Sequence, residues 1–282
     1  MFASSFAYHR AESVADAVSR LEANPDAKIL SGGHSLIPAM KLRLAMPAEL
    51  VDISKLDELK SISVGDDIRI GAGVTYQAIA DHPEVSQLLP ILPMAINQIG
   101  DLQVRARGTF GGALAHSDPA ADLTAVFLAL NGRVKVVSGS GEREIAADEF
   151  FVDLWTTSME VNEVLTEIII PRPADGARMV YLKHAHPASG YAVAGVAVVA
   201  SMTGASVDDV RVAVTGATSR AERLQAVEDA LRGAELSDAS LVSASSLAAD
   251  GVEINGDHYA DEEYRAQLVR VLVKRALEHI AR

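Results

Sequence analysis

The sequence contains no cysteine. Disulfides, thiolate metal sites, iron–sulfur ligation and a cysteine nucleophile are therefore excluded from this chain. Positive charge is also scarce: 25 Lys and Arg face 38 Asp and Glu, a formal net charge of −13. Nucleic acid and anionic membrane surfaces both need a basic face that releases counterions, so neither is expected as the main partner. Long apolar runs are missing too. The longest, Ala192 to Ala200, is interrupted by Gly195 and falls far short of the ~20 residues that a membrane helix needs. It reads as a buried strand. The N-terminal stretch MFASSFAYHR has no basic segment followed by an apolar one, so no secretory signal is expected and the cytoplasm is the expected location.

What is present is ordinary for a globular protein, with 49% hydrophobic and 22% charged residues in 282. That length suits two or three packed subdomains better than one small core. Apolar spacing predicts a helix over Ser13–Ala23, with Ser13 as N-cap, and helices over 91–99 and 120–130. Period-2 alternation in Asp67–Val74 predicts a strand that gives way at the capping residue Thr75. Further strands are expected at 28–30, 50–53, 134–137, 164–170, 179–183 and 193–201. Pro171, Pro173 and Asp175-Gly176 punctuate the chain and mark a domain boundary, giving units 1–174 and 175–282. The second unit reads as strand 210–214 followed by helices at 220–231, 237–247 and 262–280, the last with a regular apolar stripe. Trp155 and Tyr181 read as buried anchors.

Two glycine pairs stand out, Gly32-Gly33 in ILSGGHSL and Gly111-Gly112 in RGTFGGALAHSDPAAD. Glycines let a backbone approach a ligand closely and allow successive N–H groups to converge on an anion. Ser31, His34, Ser35 and Thr109 add side-chain donors beside them. Neither segment matches the dinucleotide fingerprint G-x-G-x-x-G or the phosphate loop G-x-x-x-x-G-K-[ST]. Each pair alone is a tight turn or a ligand site; two together, both flanked by hydroxyls, favour a diphosphate cradle.

The segments KILSGGHSLIPAMKLRL, QVRARGTFGGALAHSDPAADL and EYRAQLVRVLVKRAL occur in this order along the chain. Together they resemble the FAD-binding medium subunits of the molybdenum hydroxylases, the xanthine dehydrogenase family, and most of all the aerobic carbon monoxide dehydrogenase medium chains. The resemblance implies an α+β fold: a two-subdomain FAD-binding domain of the vanillyl-alcohol-oxidase (PCMH) type, divided near residue 55, plus a small α+β C-terminal domain. FAD is then expected in the cleft between the flavin subdomains, its diphosphate against Ser31–Leu36 and Thr109–Ala113.

Carried over by position, Lys28, Ile29, Leu30, Ser31, Gly32, Gly33, His34, Ser35 and Leu36 match the first FAD loop. Thr109, Phe110, Gly111, Gly112 and Ala113 match the second, where Ala113 stands in place of the usual Asn or Ser. His34 and His116 are placed to donate to phosphate, and His116 reads equally as a loop cap. Asp122 matches an acid near the adenosine or ribose, and reads equally as a first-turn helix acid. Leu165 is carried over as a further cofactor contact. Lys183 matches a lysine at the pyrimidine edge of the flavin, and Tyr191 an aromatic beside the isoalloxazine. The stretch before Tyr191, His184 to Gly190, departs from the family's Arg-Arg and acid. His184 and His186 would share a side of an extended strand, yet no third metal ligand is evident.

No nucleophile triad or carboxylate pair is visible. That absence suits electron transfer, and the resemblance implies this role: a flavoprotein subunit between the two 2Fe-2S clusters of a small partner and an external acceptor such as quinone. The resemblance also implies the molybdenum cofactor in a large partner and a dimer of heterotrimers as the assembly, with carbon monoxide as the leading substrate. Aldehyde, purine or N-heterocycle oxidation by the same type of complex is the alternative. Contact of the complex with the inner face of the cytoplasmic membrane fits this expectation. A self-contained FAD oxidase and an assembly subunit without cofactor are the competing readings.

Overall fold

The computed structural model describes residues 2–282 as a mixed helix-and-strand architecture built on three larger sheets. The first is parallel, with strands Ala7–Arg10 and Ala27–Leu30 flanking Glu49–Asp52. Helix Val14–Ala23 crosses over it and buries Val14, Ala17, Val18 and Leu21. Its N-terminus is capped as the sequence predicts, the Ser13 hydroxyl accepting from the Asp16 N–H at 3.1 Å.

The second sheet is antiparallel, in the order Ile62–Val64, Asp67–Gly71, Val164–Pro171, Arg133–Ser138, Gly141–Ala146. Helices Tyr76–Ala80, Ile91–Ile96, Phe110–His116 and Asp122–Ala129 pack against it around a core that includes Ile68, Ile70, Phe110 and Leu165. Phe127 is the hub of that core. Its ring meets Phe110, Phe150 and Phe151 edge-on at 6.5, 6.0 and 6.1 Å, an arrangement the aromatic quadrupole favours.

The third sheet holds Arg178–Ala185, Ala192–Thr203, Ser206–Thr215 and Glu222–Arg223. Both of its faces are covered, which explains the continuous apolar run at 192–200. Val196, Val198, Val212 and Val214 face the C-terminal helices Gln225–Leu231, Asp238–Ser246 and Glu262–Ala281. Tyr181, Ala197 and Ala213 face the core of the second sheet instead. Small residues on that side let the sheet lie close to helix Asp122–Ala129. Among the described residues no helix is long and apolar enough to cross a membrane.

Two expectations are corrected. Trp155 is 61% exposed with φ +50, at the turn of the hairpin Phe151–Asp153/Thr156–Thr157; a lone Trp in the sequence gives no sign of which way a turn points. The helix expected from Arg220 starts only at Gln225, because Glu222 and Arg223 pair with Val214 and Ala213 as a sheet edge. Arg223 is held there by Glu228 and by Asp148 at 2.9 Å, tertiary contacts that outweigh local helical periodicity.

Candidate functional site

Strand Ala27–Leu30 runs directly into the first glycine loop, and that loop lies against the second. A Cβ on Gly32 would sit 2.3 Å from the Arg107 carbonyl oxygen, so only glycine permits this approach. The Ser31 and Thr109 hydroxyls are 3.2 Å apart across the junction. Gly33 has φ +78, in the left-handed region. The N–H groups of Gly32, Gly33, His34 and Ser35 donate to no backbone carbonyl or side chain among the described residues. The His34 Nδ1 lies 3.1 Å from the Gly32 carbonyl and folds back on the loop.

The second loop is built differently. Its N–H groups at Phe110, Gly111 and Ala113 already donate to Val74, Ala72 and Thr109 carbonyls at 3.3, 3.2 and 3.0 Å. Gly111 is there because a Cβ would meet the Ala72 oxygen at 2.7 Å. Gly112 N–H donates to the Thr109 hydroxyl at 3.1 Å, a partner a ligand oxygen can replace. The free donors thus lie mostly in the first loop, while the second supplies Thr109, one exchangeable N–H and a packing surface. Sequence composition treats the two pairs alike; only their long-range partners separate them.

Beside these loops lies a cavity of about 230 Å³ where all three sheet units converge. Of the expected residues, His34, Ser35, Ala113, His116, Asp122 and Tyr191 line it. Ser31, Gly32, Gly33, Thr109, Gly111 and Gly112 form the adjoining loops. Lys28 is exposed on its strand with Ile29, Leu30 and Leu36 half-buried nearby, while Phe110 and Leu165 are buried in the core of the second sheet. Tyr76, Gly100 and Asp118 line the cavity and were missed by sequence reasoning. Tyr76 had one signal, its place after the N-cap Thr75; the Thr75–Thr109 bridge that brings it to the site is long-range and silent in sequence.

One wall is a buried polar cluster. The Asp122 carboxylate begins helix Asp122–Ala129, accepting from the Tyr181 hydroxyl at 2.6 Å and from the Lys183 ammonium at 2.8 Å. Lys183 also donates to the Gln98 carbonyl at 2.9 Å, and its side chain is 2% exposed. Burial pushes the Asp122 carboxyl above the usual carboxylate range, against the pull of Lys183 and Tyr181. Burial also raises the Tyr76 and Tyr191 phenols, Tyr191 further through Asp118 and Asp122.

The third sheet holds the rest of the wall in place. Thr215 donates its hydroxyl to the Pro119 and Ala121 carbonyls at 2.7 and 2.9 Å, and Gly216 N–H donates to Pro119 at 2.7 Å. His186 closes the loop before Tyr191: its Nδ1 accepts from the Ala188 and Ser189 N–H groups at 3.2 and 3.3 Å. Its ring centroid is 4.2 Å from that of Tyr259, and His184 meets Tyr264 edge-on at 6.3 Å. Both histidines are thus engaged in packing, and no group of three metal-ligating side chains occurs among the described residues.

Comparison with known proteins agrees with this architecture. Residues 4–173 match the FAD binding domain in molybdopterin dehydrogenase, and residues 180–280 the CO dehydrogenase flavoprotein C-terminal domain. The nicotine 6-hydroxylase medium subunit of Paenarthrobacter nicotinovorans is 38% identical, covering 96% of this chain and 95% of that protein. The glyceraldehyde dehydrogenase medium chain of Sulfolobus acidocaldarius is 35% identical over the full length of both. Carbon monoxide dehydrogenase from Hydrogenophaga pseudoflava, solved without the Mo-pyranopterin moiety, contains a chain that superposes with a TM-score of 0.96 at 37% identity, covering 99% of this chain and 98% of that one. The chain belongs to the FAD-binding medium subunits of the molybdenum hydroxylases, the family that includes the carbon monoxide dehydrogenase medium chains.

Proposed function

We propose that this subunit carries electrons from the 2Fe-2S clusters of a small partner to an external acceptor, quinone being the class assigned. The large partner, with the molybdenum cofactor, oxidises the substrate, and the assembly is a dimer of heterotrimers in the cytoplasm. Residues 1–174 form the flavin-binding unit and 175–282 the C-terminal unit. The observation that carries the reading is the run of free N–H groups at Gly32–Ser35 beside the Ser31–Thr109 hydroxyl pair. It fits FAD: two phosphate charges are met by backbone and hydroxyl donors, with no Arg or Lys among the residues lining the cavity.

Bound FAD supplies a centre that takes electrons singly and passes them on in pairs. The chain's own residues bind and orient it. The first loop would hold the diphosphate with Thr109 and the Gly112 N–H beside it, and Asp122 would accept from a ribose hydroxyl. Tyr191, 45% exposed at the cavity, would shield the ring from water. Lys183, 2.8 Å from the Asp122 carboxylate, would hold that acid in place, and as the counterpart of a lysine at the pyrimidine edge of the flavin it would favour the negative charge that reduction adds.

Carbon monoxide is the substrate assigned to the complex. The 38% identity with a nicotine hydroxylase subunit supports a second reading, an N-heterocycle substrate. The test is to add each compound anaerobically to the isolated complex and follow the flavin absorbance. Bleaching by carbon monoxide supports the first reading, bleaching by a nicotine-type heterocycle alone supports the second, and a flavin bleached in the separated subunit by its own organic substrate refutes both.

A further inference from the structure

We propose that Tyr181 is a positioning residue of this site: with Lys183 it holds one oxygen of Asp122 so that the other accepts a hydrogen bond from a cofactor hydroxyl. The inference rests on the flavin-binding reading and deepens it.

The geometry is asymmetric. The Tyr181 hydroxyl at 2.6 Å and the Lys183 ammonium at 2.8 Å both fall on Oδ1 of Asp122. No other side chain among the described residues donates to Oδ2, and Asp122 lines the cavity. Two donors arriving at one oxygen from different directions fix the rotation of the carboxylate. Lys183 alone supplies charge but, as an ammonium with three equivalent donors, sets little direction.

The strand is arranged for this. Tyr181 and Lys183 are two residues apart on Arg178–Ala185 and so share a face. Gly195 pairs with Lys183 on the neighbouring strand. A Cβ at Gly195 would lie 2.5 Å from the Tyr181 hydroxyl oxygen and 2.9 Å from the Thr215 methyl carbon. Glycine here makes room for a hydroxyl that a phenylalanine would not carry. Tyr181 itself is 2% exposed among apolar neighbours, so packing asks only for a ring, and the hydroxyl has one partner, Asp122.

The test uses the full chain stripped of flavin, titrated with FAD by fluorescence, as wild type, Tyr181→Phe, Asp122→Asn and the double variant. Tyr181→Phe is expected to weaken FAD about tenfold, the scale of a hydrogen bond to a charged group. The double variant is expected to bind no worse than Asp122→Asn. The deficit of Tyr181→Phe is expected to widen as the pH falls, since a carboxylate with fewer donors protonates sooner; a purely structural ring would not move that profile. Tyr181→Met, which fills the same core without a hydroxyl, repeats the test if the phenylalanine variant fails to fold. Wild-type affinity in both hydroxyl-free variants overturns the proposal, as do losses that multiply in the double variant. A wild-type chain that binds no FAD overturns the flavin reading itself, and this assignment with it. Loss of FAD in Gly33→Val with none in Tyr181→Phe keeps the flavin reading and removes only Tyr181.

Discussion

Replacing Gly32 by alanine tests the junction on which the flavin cradle depends. The added Cβ would stand 2.3 Å from the Arg107 oxygen and 2.9 Å from its carbonyl carbon, where real Cβ atoms keep at least 3.0 Å. The obstacle is backbone, so one loop must retreat by about 0.7 Å along that contact. Overpacking of this kind costs ~1–3 kcal/mol. The retreat also stretches the 3.2 Å Ser31–Thr109 contact beyond hydrogen-bonding range. Two readouts are expected to move together: a lower Tm in thermal unfolding, and a flavin content reduced about tenfold or more after dialysis, given ~1.4 kcal/mol per decade. Gly176→Ala is the control, because Gly176 has φ +76 but open space around it. It is expected to lose only the ~1–2 kcal/mol of left-handed strain and no flavin. A Gly32→Ala protein with wild-type Tm and full flavin would refute the close approach of the two loops.

Other outcomes follow from the same structure. Lys183→Met leaves Asp122 buried without its cation and is expected to cost ~3–5 kcal/mol in urea unfolding, with much of the loss recovered when Asp122→Asn is added; equal losses in single and double variants would deny the pairing. Glu163 is opposed by burial, yet its forked bond to Arg143 and the Glu160 N–H hold its carboxyl below the usual value. A depressed folded pKa gives stability above the unfolded value that is lost as pH falls through the folded one. Glu163→Gln should therefore destabilise at neutral pH by ~1–2 kcal/mol, discounted because Arg143 is half-exposed, and the gap to wild type should close on acidification. Trp155→Ser, at an exposed turn, is expected to leave the unfolding free energy of the isolated chain within about 0.5 kcal/mol.

The elements legible in the sequence were those whose cause is local. The capped helix at 14–23, the strand before Thr75 and the long C-terminal helix each carry their pattern within one window. The sheet edges Ala7–Arg10, Ile62–Val64 and Gly141–Ala146 were not predicted, because each is short and exists only through a distant partner. The same divide runs through the site. Both glycine loops announce themselves by composition. The assignment of free donors to the first loop follows from Ala72 and Val74 occupying the second, contacts that lie 36 or more positions away along the chain. Likewise Lys183 reads as a lone cation, and its pairing with Asp122 and Tyr181 appears only when the third sheet packs on helix Asp122–Ala129.

The most direct measurement is the composition of what the chain carries in its own cell. Purified by a tag on this subunit from the native host, the sample is assayed for flavin, iron and molybdenum. About one flavin per chain, with iron and molybdenum on two co-eluting proteins, is the predicted result. A flavin-bearing chain that elutes alone, free of metal and active on its own organic substrate, would contradict the electron-transfer account.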